Sequence, residues 1–367
     1  MTWVAGFRTA VISPYEPIQY NEPRGFTDQT VRQVLHMAGG GEQIRVLLTN
    51  RYGRTPLTVD AAAVATTHRR AVLTVDGAET FTIAPGEEAV SDPIDLPVVA
   101  GSDLVLSLYL PGETGLATYS HQPMETAHVV AGNHVTARTW PDSEPVQARF
   151  YVTGVDVVVP DDIPVAVAFG DSWFEGVGTT PGANNRSVDL LNRRLGRGWV
   201  VNQGIAGNRL LSDGIGEHAL ARFDRDIRPI PGLTHVLVHF GINDLGLPGM
   251  LGEPAVTPGA LIEGFSALAH RAHQAGLKIL LSTIGPFAGA AYPGVSTPEG
   301  LATRREVNHW IRTTDTVDAV VDVARAVENP DAPDHIHPDL DSGDGMHLND
   351  KGAQAMADAV DLRFLGQ

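Results

Sequence analysis

A serine at a strand-to-helix turn is the first residue of this 367-residue chain whose position could support chemistry. Ser172 stands in Gly170-Asp171-Ser172-Trp173, directly after an apolar run typical of a buried strand. A helix that follows such a turn presents free backbone N–H groups and the positive end of its dipole, which suits an exposed nucleophile. Gly-Asp-Ser is also common in ordinary turns, so this motif alone leaves both interpretations open. Phe174, in the place of the second glycine, excludes a Gly-x-Ser-x-Gly nucleophile elbow.

Two further turns follow strand-like runs and could donate hydrogen bonds to an oxyanion. The first contains Gly207, in Asn202-Gln-Gly-Ile-Ala-Gly-Asn208, where two nearby glycines permit a positive φ and an accessible backbone N–H. The second contains Asn243, in Gly241-Ile-Asn-Asp244, whose side-chain NH₂ could donate to a developing negative charge. An ordinary loop explains the first motif, and a helix N-cap explains the second, when each is taken alone.

A histidine near the C-terminus has an acid three residues before it, in Asp344-Gly-Met-His347. At that spacing the carboxylate can accept from one ring nitrogen while the other takes a proton from a serine. The alternative is a surface histidine beside a solvated aspartate. The four motifs nevertheless occur in order, each after a strand-like run or before the last helix. Together they would supply a nucleophile, a base, an orienting acid and oxyanion donors, and this combination favours a catalytic site.

The elements that must bring these residues together begin at about residue 161. Apolar runs alternate with helix-length amphipathic segments, as expected for buried parallel strands joined by helices. The runs are Val165–Phe169, Trp199–Asn202, His235–Phe240, Lys278–Thr283 and Ala319–Val323. Thr257-Pro258 and Thr297-Pro298 are start signals for helices over 260–275 and 300–312, and Asn349 for a last helix over 350–364. The pattern predicts a flavodoxin-like three-layer α/β/α domain with a five-stranded parallel sheet, whose carboxyl strand ends carry the site.

Residues 1–160 predict a separate all-β domain, a sandwich or jelly roll, ahead of an α/β domain over 161–367. Short runs rich in Val, Leu and aromatic residues are separated by Gly, Pro and Asp turns. They include Gln43–Thr49, Ala71–Val75, Asp103–Leu110, Ala148–Val152 and Val155–Val159. Arg24–Met37 fits this pattern least well and could hold a helical turn. Two prolines in Pro160-Asp-Asp-Ile-Pro164 mark the boundary.

Composition limits the partners and the setting. The chain has 26 basic and 43 acidic residues, a net charge of −17, which disfavours binding to phosphate backbones and anionic lipid. We therefore expect neither a nucleic acid nor a membrane as partner, and no feature specifies an oligomeric state. The absence of cysteine excludes disulfides, thiolate nucleophiles and cysteine-bound zinc. No apolar run approaches the ~18 residues of a spanning helix, and no signal peptide is visible, so we expect a cytoplasmic protein, or a secreted one whose leader has been removed.

The order of the four motifs resembles the SGNH/GDSL hydrolase family, and the first half resembles the β-sandwich that precedes the catalytic domain in a two-domain bacterial subgroup. The resemblance covers the whole α/β part and implies a serine esterase without cofactor or metal. By this resemblance Ser172 is the nucleophile, His347 the base and Asp344 its orienting acid. The N–H groups of Ser172 and Gly207 and the side chain of Asn243 would form the oxyanion hole. The implied substrates are short-chain, especially acetyl, esters of carbohydrates or small molecules, cleaved through an acyl-enzyme.

Residues near these motifs are expected to shape the substrate site. Trp173 stands where the family usually has an aliphatic residue, and an indole there would reshape or narrow the acyl pocket. Phe287 and Tyr292, in the loop after the fourth strand, are expected to line the acyl or leaving-group pocket. Asp171 and Asp244 either contact substrate or hold the loops through backbone hydrogen bonds.

Other functions stay open at this point. His335-Ile-His337 and the aspartates that follow could hold a metal with nitrogen and oxygen ligands, although the EF-hand spacing is missing. Gly176-Val-Gly178 resembles the start of a dinucleotide loop, but Pro181 occupies the place of the third glycine. The first half could bind carbohydrate, with Trp140 and Tyr119 as a platform, or shape the substrate site, and the α/β half could be inert. The same triad could also serve an acyltransferase.

Overall fold

The chain divides into two compact units, Met1–Ile163 and Pro164–Gln367, in a computed structural model that describes residues 1–140, 142–160 and 163–366. The boundary expected after Pro160 falls on Asp161 and Asp162, which lie outside the described residues. No helix in the described ranges is both long and apolar enough to cross a membrane.

Two antiparallel sheets form the body of the first unit. Its strands are β1 (Thr2–Arg8), β2 (Gln29–His36), β3 (Ile44–Thr49), β4 (Leu57–Val59), β5 (Ala61–Ala65), β6 (Arg70–Val72), β7 (Phe81–Ile83), β8 (Glu88–Val90), β9 (Asp103–Leu110), β10 (Tyr119–Ser120), β11 (Ala127–Ala131), β12 (Glu144–Val146), β13 (Arg149–Phe150) and β14 (Val152–Val159). One sheet has the order β1-β14-β3-β8 and the other β12-β11-β2-β9-β5-β6, with short pairs β10-β13 and β4-β7. This architecture confirms the predicted β-sandwich.

The expectation of a helical turn within Arg24–Met37 is wrong, because β2 occupies most of that segment. The strand pairs along its whole length with β9, from Gln29 opposite Leu110 to His36 opposite Asp103, and on its other edge with β11. Backbone groups that are satisfied on both edges leave no reason to form a helix.

Two other strand boundaries in the first unit differ from the prediction. The run Ala71–Val75 is shorter than expected, since β6 ends at Val72. The run Ala148–Val152 is split between β13 and β14 by Tyr151, whose φ of +59° interrupts the extended backbone.

A parallel sheet of five strands organises the second unit. Its elements are β15 (Val165–Gly170), α1 (Ser172–Glu175), α2 (Ser187–Arg194), β16 (Trp199–Gly204), α3 (Ala219–Asp226), β17 (Leu233–His239), α4 (Ile242–Leu251), α5 (Pro258–Gln274), β18 (Lys278–Ser282), α6 (Pro298–Thr313), β19 (Ala319–Val321), α7 (Val323–Val327), β20 (Glu328–Asn329), β21 (Ala332–Ile336), α8 (Asp350–Asp358) and a 3₁₀ helix (Leu362–Leu365). The strand order β16-β15-β17-β18-β19 is the flavodoxin-like order that the sequence predicts.

Helices cover both faces of this sheet. Ala168 of β15 lines a small apolar cavity together with Leu191 of α2 and Met356 of α8. The next residue, Phe169, points the other way and packs edge-to-face on Phe223 of α3, with ring centroids 5.9 Å apart. The continuous apolar strand is therefore buried on both sides, as its sequence predicts.

The last predicted helix, 350–364, is too long. Helix α8 ends at Asp358, and Asp361 then accepts a hydrogen bond from the N–H of Arg363 and begins a separate 3₁₀ turn. The fifth strand is too long as well, because Asp322 caps α7 and Val323 becomes its first residue. Both boundaries are set by an aspartate side chain that satisfies the N–H groups of a new helical turn.

Candidate active site

Three neighbouring strands of the parallel sheet end at the same level. Gly170, the last residue of β15, pairs with Gly204 at the end of β16 and with His239 at the end of β17. The turns that follow must therefore lie side by side, beyond the carboxyl edge of the sheet. These turns carry Ser172 and both predicted oxyanion donors.

Ser172, His347 and Asp344 form a continuous hydrogen-bonded chain. Ser172 Oγ lies 3.0 Å from His347 Nε2, and His347 Nδ1 lies 2.6 Å from Asp344 Oδ2. A carboxylate can only accept a hydrogen bond, so Nδ1 carries the proton and Nε2 presents its lone pair to the serine hydroxyl. In this tautomer the imidazole can take the hydroxyl proton as Ser172 attacks.

Donors on both oxygens stabilise the ionised form of Asp344. Oδ1 accepts hydrogen bonds from Ser342 Oγ and from the N–H groups of Met346 and His347, at 3.2, 2.9 and 2.8 Å. Oδ2 accepts from His347 Nδ1 and from the hydroxyl of Tyr292, the latter at 3.1 Å. Burial raises the pKa of this carboxyl, but the hydrogen bonds and the charge of His347 outweigh burial and hold the pKa below its usual value. Asp344 is therefore an anion at neutral pH.

The three predicted oxyanion donors have unused hydrogen-bonding capacity. Within the described part of the chain, the backbone N–H groups of Ser172 and Gly207 donate to no protein acceptor. Gly207 has a φ of +79°, a conformation that favours glycine. Asn243 lies in the first turn of α4, whose N-cap is Gly241, and donates one amide hydrogen to Asn208 O at 3.1 Å. The second hydrogen of that amide remains for a ligand.

A buried arginine, which no sequence motif indicates, supports these turns. Arg222 of α3 donates to the carbonyls of Gly170 and Gln203 and to Asn208 Oδ1, and its guanidinium lies over the ring of Phe169. It therefore connects the end of β15 to the turn after β16. It also holds Asn208, whose backbone carbonyl accepts a hydrogen bond from the Asn243 amide.

Asp171 and Asp244 are buried, at 0% and 1% exposure, and both accept hydrogen bonds from nearby backbone N–H groups. Asp171 Oδ1 accepts from the N–H of Trp173 and caps α1. The carboxylate of Asp244 accepts from the N–H groups of Leu210 and Leu211, at 2.8 and 3.0 Å. Both side chains therefore hold their turns through backbone hydrogen bonds, and substrate contact at these two residues stays a prediction.

Burial keeps the carboxyl of Asp171 and the neighbouring imidazole of His239 uncharged. Burial raises the pKa of Asp171 to about 8, and the charge of Asp244 adds a smaller contribution. The hydrogen bond from the N–H of Trp173 acts in the opposite direction. Burial lowers the pKa of His239 to about 3. Ser282 Oγ donates its proton to Val238 O, so it must accept from His239 Nδ1, and His239 Nε2 is left as an acceptor 3.9 Å from Asp171 Oδ1.

Trp173 lies in the core, and its predicted effect on the acyl pocket stays a prediction. Its ring is 3% exposed and lies against that of His239, with centroids 4.9 Å apart. Its Nε1 donates to Met346 O at 3.0 Å, next to the histidine of the triad. Gly285 provides the space, since a Cβ there would come within 2.2 Å of the indole. The indole thus joins the turn that carries Ser172 to the loop that carries His347.

The two predicted pocket residues of the loop after β18 differ in exposure. Phe287 is 0% exposed and belongs to the core, so its place in the substrate pocket stays a prediction. Tyr292 is 43% exposed and turns its hydroxyl to Asp344. Residue type alone does not reveal which side of a loop an aromatic ring covers.

The other candidate sites take different roles in the fold. Gly178, in the dinucleotide-like run, has a φ of +94° and packs against His347 and Leu348, where an added Cβ would clash. In residues 1–140, 142–160 and 163–366, no three His, Asp or Glu side chains are grouped as metal ligands. Tyr119, proposed as a sugar platform, is 2% exposed, and the ring of Trp140 is covered by the Arg32 guanidinium at 3.9 Å.

Residues 168–355, just over half of the chain, match the family described as GDSL-like Lipase/Acylhydrolase. Solved structures with a similar fold include an aryl esterase from M. smegmatis, 17% identical with a TM-score of 0.44, where the match covers 53% of this chain and 95% of that one. A carbohydrate acetylesterase from Sinorhizobium meliloti is 16% identical with a TM-score of 0.42, covering 53% and 95%. A GDSL-like lipase from Bacteroides thetaiotaomicron is 14% identical with a TM-score of 0.43, covering 57% and 92%. No curated protein matches the chain.

Proposed function

Because the chain belongs to the GDSL-like lipase/acylhydrolase family, we propose that it hydrolyses carboxylic esters through an acyl-enzyme on Ser172. The observation that carries the proposal is the hydrogen-bonded chain from Ser172 through His347 to Asp344, with distances of 3.0 and 2.6 Å. A serine hydroxyl is a weak nucleophile unless a base within hydrogen-bond distance takes its proton, and His347 Nε2 is in that position.

In the first half-reaction, Ser172 Oγ attacks the ester carbonyl carbon while its proton passes to His347 Nε2. Asp344 stabilises the imidazolium through Nδ1–H. The negative charge that forms on the carbonyl oxygen is held by the unused N–H groups of Ser172 and Gly207 and by the Asn243 amide. The carbon–oxygen bond to the alcohol then breaks, the alcohol leaves with the proton from His347, and the acyl group stays on the serine.

In the second half-reaction, water replaces the alcohol. His347 takes a proton from the water as its oxygen attacks the acyl carbon, and the same donors hold the second oxyanion. The bond to Ser172 Oγ breaks, the serine regains the proton, and a carboxylic acid leaves. We propose esters with short acyl groups as substrates, and the acyl-length series below tests this part separately.

The test uses p-nitrophenyl esters of increasing acyl length with wild type, Ser172→Ala and a matched control, Ser187→Ala. Ser187 is also a buried serine, but its hydroxyl donates to Trp173 O at 3.1 Å and takes no part in the triad. We expect Ser172→Ala to lose hydrolysis and the pre-steady-state burst, and Ser187→Ala to keep both. Hydrolysis by Ser172→Ala at the rate of wild type would refute the proposal.

A serine-directed phosphonate provides an independent readout that needs no knowledge of the natural substrate. We expect a single adduct on Ser172, located by mass spectrometry of the digested protein. An unlabelled wild-type protein would instead favour a carbohydrate-binding function with an inert α/β half. Faster product release on addition of an alcohol, with transfer of the acyl group to it, would identify an acyltransferase.

A further inference from the structure

The Tyr292 hydroxyl reaches the triad carboxylate from a separate segment of the chain. We call residues 341–347 the triad loop and residues 283–297 the β18 loop. The other donors to the Asp344 carboxylate, from Ser342, Met346 and His347, belong to the triad loop itself. Tyr292 donates from the β18 loop, and it donates to Oδ2, the same oxygen that accepts from His347 Nδ1.

The two loops are held together independently of this hydroxyl. The N–H of Ala291 donates to Asp344 O at 2.8 Å. A Cβ on Gly345, whose φ is +71°, would lie 1.9 Å from Gly289 O, so the two backbones are in direct contact. Loss of the tyrosine hydroxyl would therefore leave the loops joined.

The orientation of the Asp344 carboxylate is also fixed without Tyr292. Its Oδ1 accepts three hydrogen bonds within the triad loop, which set the plane of the carboxylate and direct Oδ2 towards the histidine. What the tyrosine adds is a second donor that draws negative charge on Oδ2 away from the imidazole. A donor to an anion stabilises that anion and weakens its attraction for a neighbouring cation.

We infer that Tyr292 is a positioning residue that acts through Asp344 to set the pH range in which His347 is neutral and able to act as a base. The inference rests on the proposed function of the triad. Without the hydroxyl, Oδ2 interacts with Nδ1–H alone, the imidazolium is stabilised, and His347 becomes protonated at a higher pH. The pH at which activity falls on the acid side of the profile must then be higher.

Other titratable side chains lie near Tyr292 and Asp344, and replacing the tyrosine by phenylalanine does not change them. Asp341, on the triad loop, accepts from the N–H groups of Gly343 and Gly345. His335 of β21 lies beside Gly289 of the β18 loop. Asp171 directly precedes Ser172 and is fully buried. A shift caused by loss of one hydroxyl is therefore attributable to the bond on Oδ2.

The experiment compares Tyr292→Phe with Tyr109→Phe. Tyr109 is a matched control because its hydroxyl also donates to a carboxylate, Asp28 Oδ1 at 2.8 Å, but in the first unit. We expect the acid-side midpoint of kcat/KM against pH to rise by ~0.3–1 pH unit in Tyr292→Phe. Tyr109→Phe should keep the wild-type midpoint.

A second readout does not depend on turnover. Nuclear magnetic resonance of ¹⁵N-histidine-labelled protein, with the His347 signals assigned by their loss in His347→Gln, follows protonation of that ring directly. The titration midpoint of His347 should move upwards in Tyr292→Phe by the same amount as the kinetic limb. If wild type hydrolyses no ester, the proposed function fails, and this titration still decides the inference.

Unchanged midpoints by both methods would overturn the inference. A fall in kcat at every pH with no shift of the limb would overturn it as well, because that result is what a purely structural contact would give.

Discussion

Replacing Asp171 by asparagine tests whether the buried carboxyl before the nucleophile is uncharged in the folded protein. Asparagine keeps an oxygen that can accept from the N–H of Trp173, so the cap of α1 is preserved. It has nearly the same shape and carries no charge at any pH. The substitution therefore removes the titration of this side chain and little else.

The size of the effect follows from the complete burial of this group, which raises the pKa of Asp171 from 3.8 to about 8. A folded-state pKa above the unfolded one means that the stability contribution is present below pH ~4 and is lost as pH rises to about 8. Each pH unit corresponds to about 1.4 kcal/mol. Wild type should thus lose on the order of 4 kcal/mol from this residue between pH 4 and pH 7, and Asp171→Asn should not.

The assay is urea unfolding of the full chain at pH 4 to 9, with hydrogen exchange of peptides from β15 and β17 to report the α/β unit. Asp322→Asn is the matched control, because the pKa of Asp322 is lowered in the folded protein whereas that of Asp171 is raised. Asp322 also caps a helix, α7, but its hydrogen bonds with Arg312 outweigh burial and lower its pKa. That variant should be less stable than wild type at neutral pH, and the difference should disappear as pH falls.

The free energy of unfolding of Asp171→Asn minus that of wild type should increase steadily from pH 4 to pH 8. A difference that is the same at every pH would refute the reasoning, because it would mean that Asp171 does not titrate in this range. If the stability of Asp171→Asn relative to wild type increased as pH fell, the folded protein would hold Asp171 as an ionised carboxylate.

Three substitutions test the remaining contacts of the site. Asn243→Ala should lower kcat by ~10²–10³ with little change in KM in steady-state ester hydrolysis, and a raised KM with normal kcat would make this amide a substrate-binding group. Asp344→Asn should lower kcat by up to about 10⁴, because an amide no longer selects the His347 tautomer with its lone pair on Nε2; a loss below tenfold would contradict that role. Gly285→Ala would place a Cβ within 2.2 Å of the Trp173 indole, so calorimetry should show a loss of about 1–3 kcal/mol, and an unchanged Tm would show that the ring can move aside.

The five parallel strands could be predicted from the sequence because each is a continuous apolar run that ends at a glycine, a polar residue or a helix start. The start of β15 and of β18 falls at the predicted residue, and α5 and α6 begin after their predicted threonine caps. Strand β2 is harder to recognise, because the polar residues Thr30 and Gln33 are buried in it and its pairing with β9 and β11 depends on distant segments. Long-range pairing of this kind overrides local propensity.

The motifs of the site were recognisable because hydroxyl, imidazole, carboxylate and amide groups occur at strand ends in a fixed order. For residues next to these motifs, the sequence does not indicate the direction in which the side chain points. Trp173 and Phe287, which the sequence predicts at the substrate site, are buried in the core, whereas Arg222, which no motif indicates, ties the end of β15 to the turn after β16. Such assignments depend on which face of the sheet a loop covers, and that is settled only by packing.

The proposed nucleophile and base lie 175 residues apart along the chain, although their reacting atoms are 3.0 Å apart. At a ribosomal rate of ~5–20 residues per second, the histidine is added roughly 9–35 s after the serine. During that interval the nascent polypeptide carries a hydroxyl with no proton acceptor beside it. Any reaction that uses His347 as the base for Ser172 must therefore wait until translation has passed residue 347.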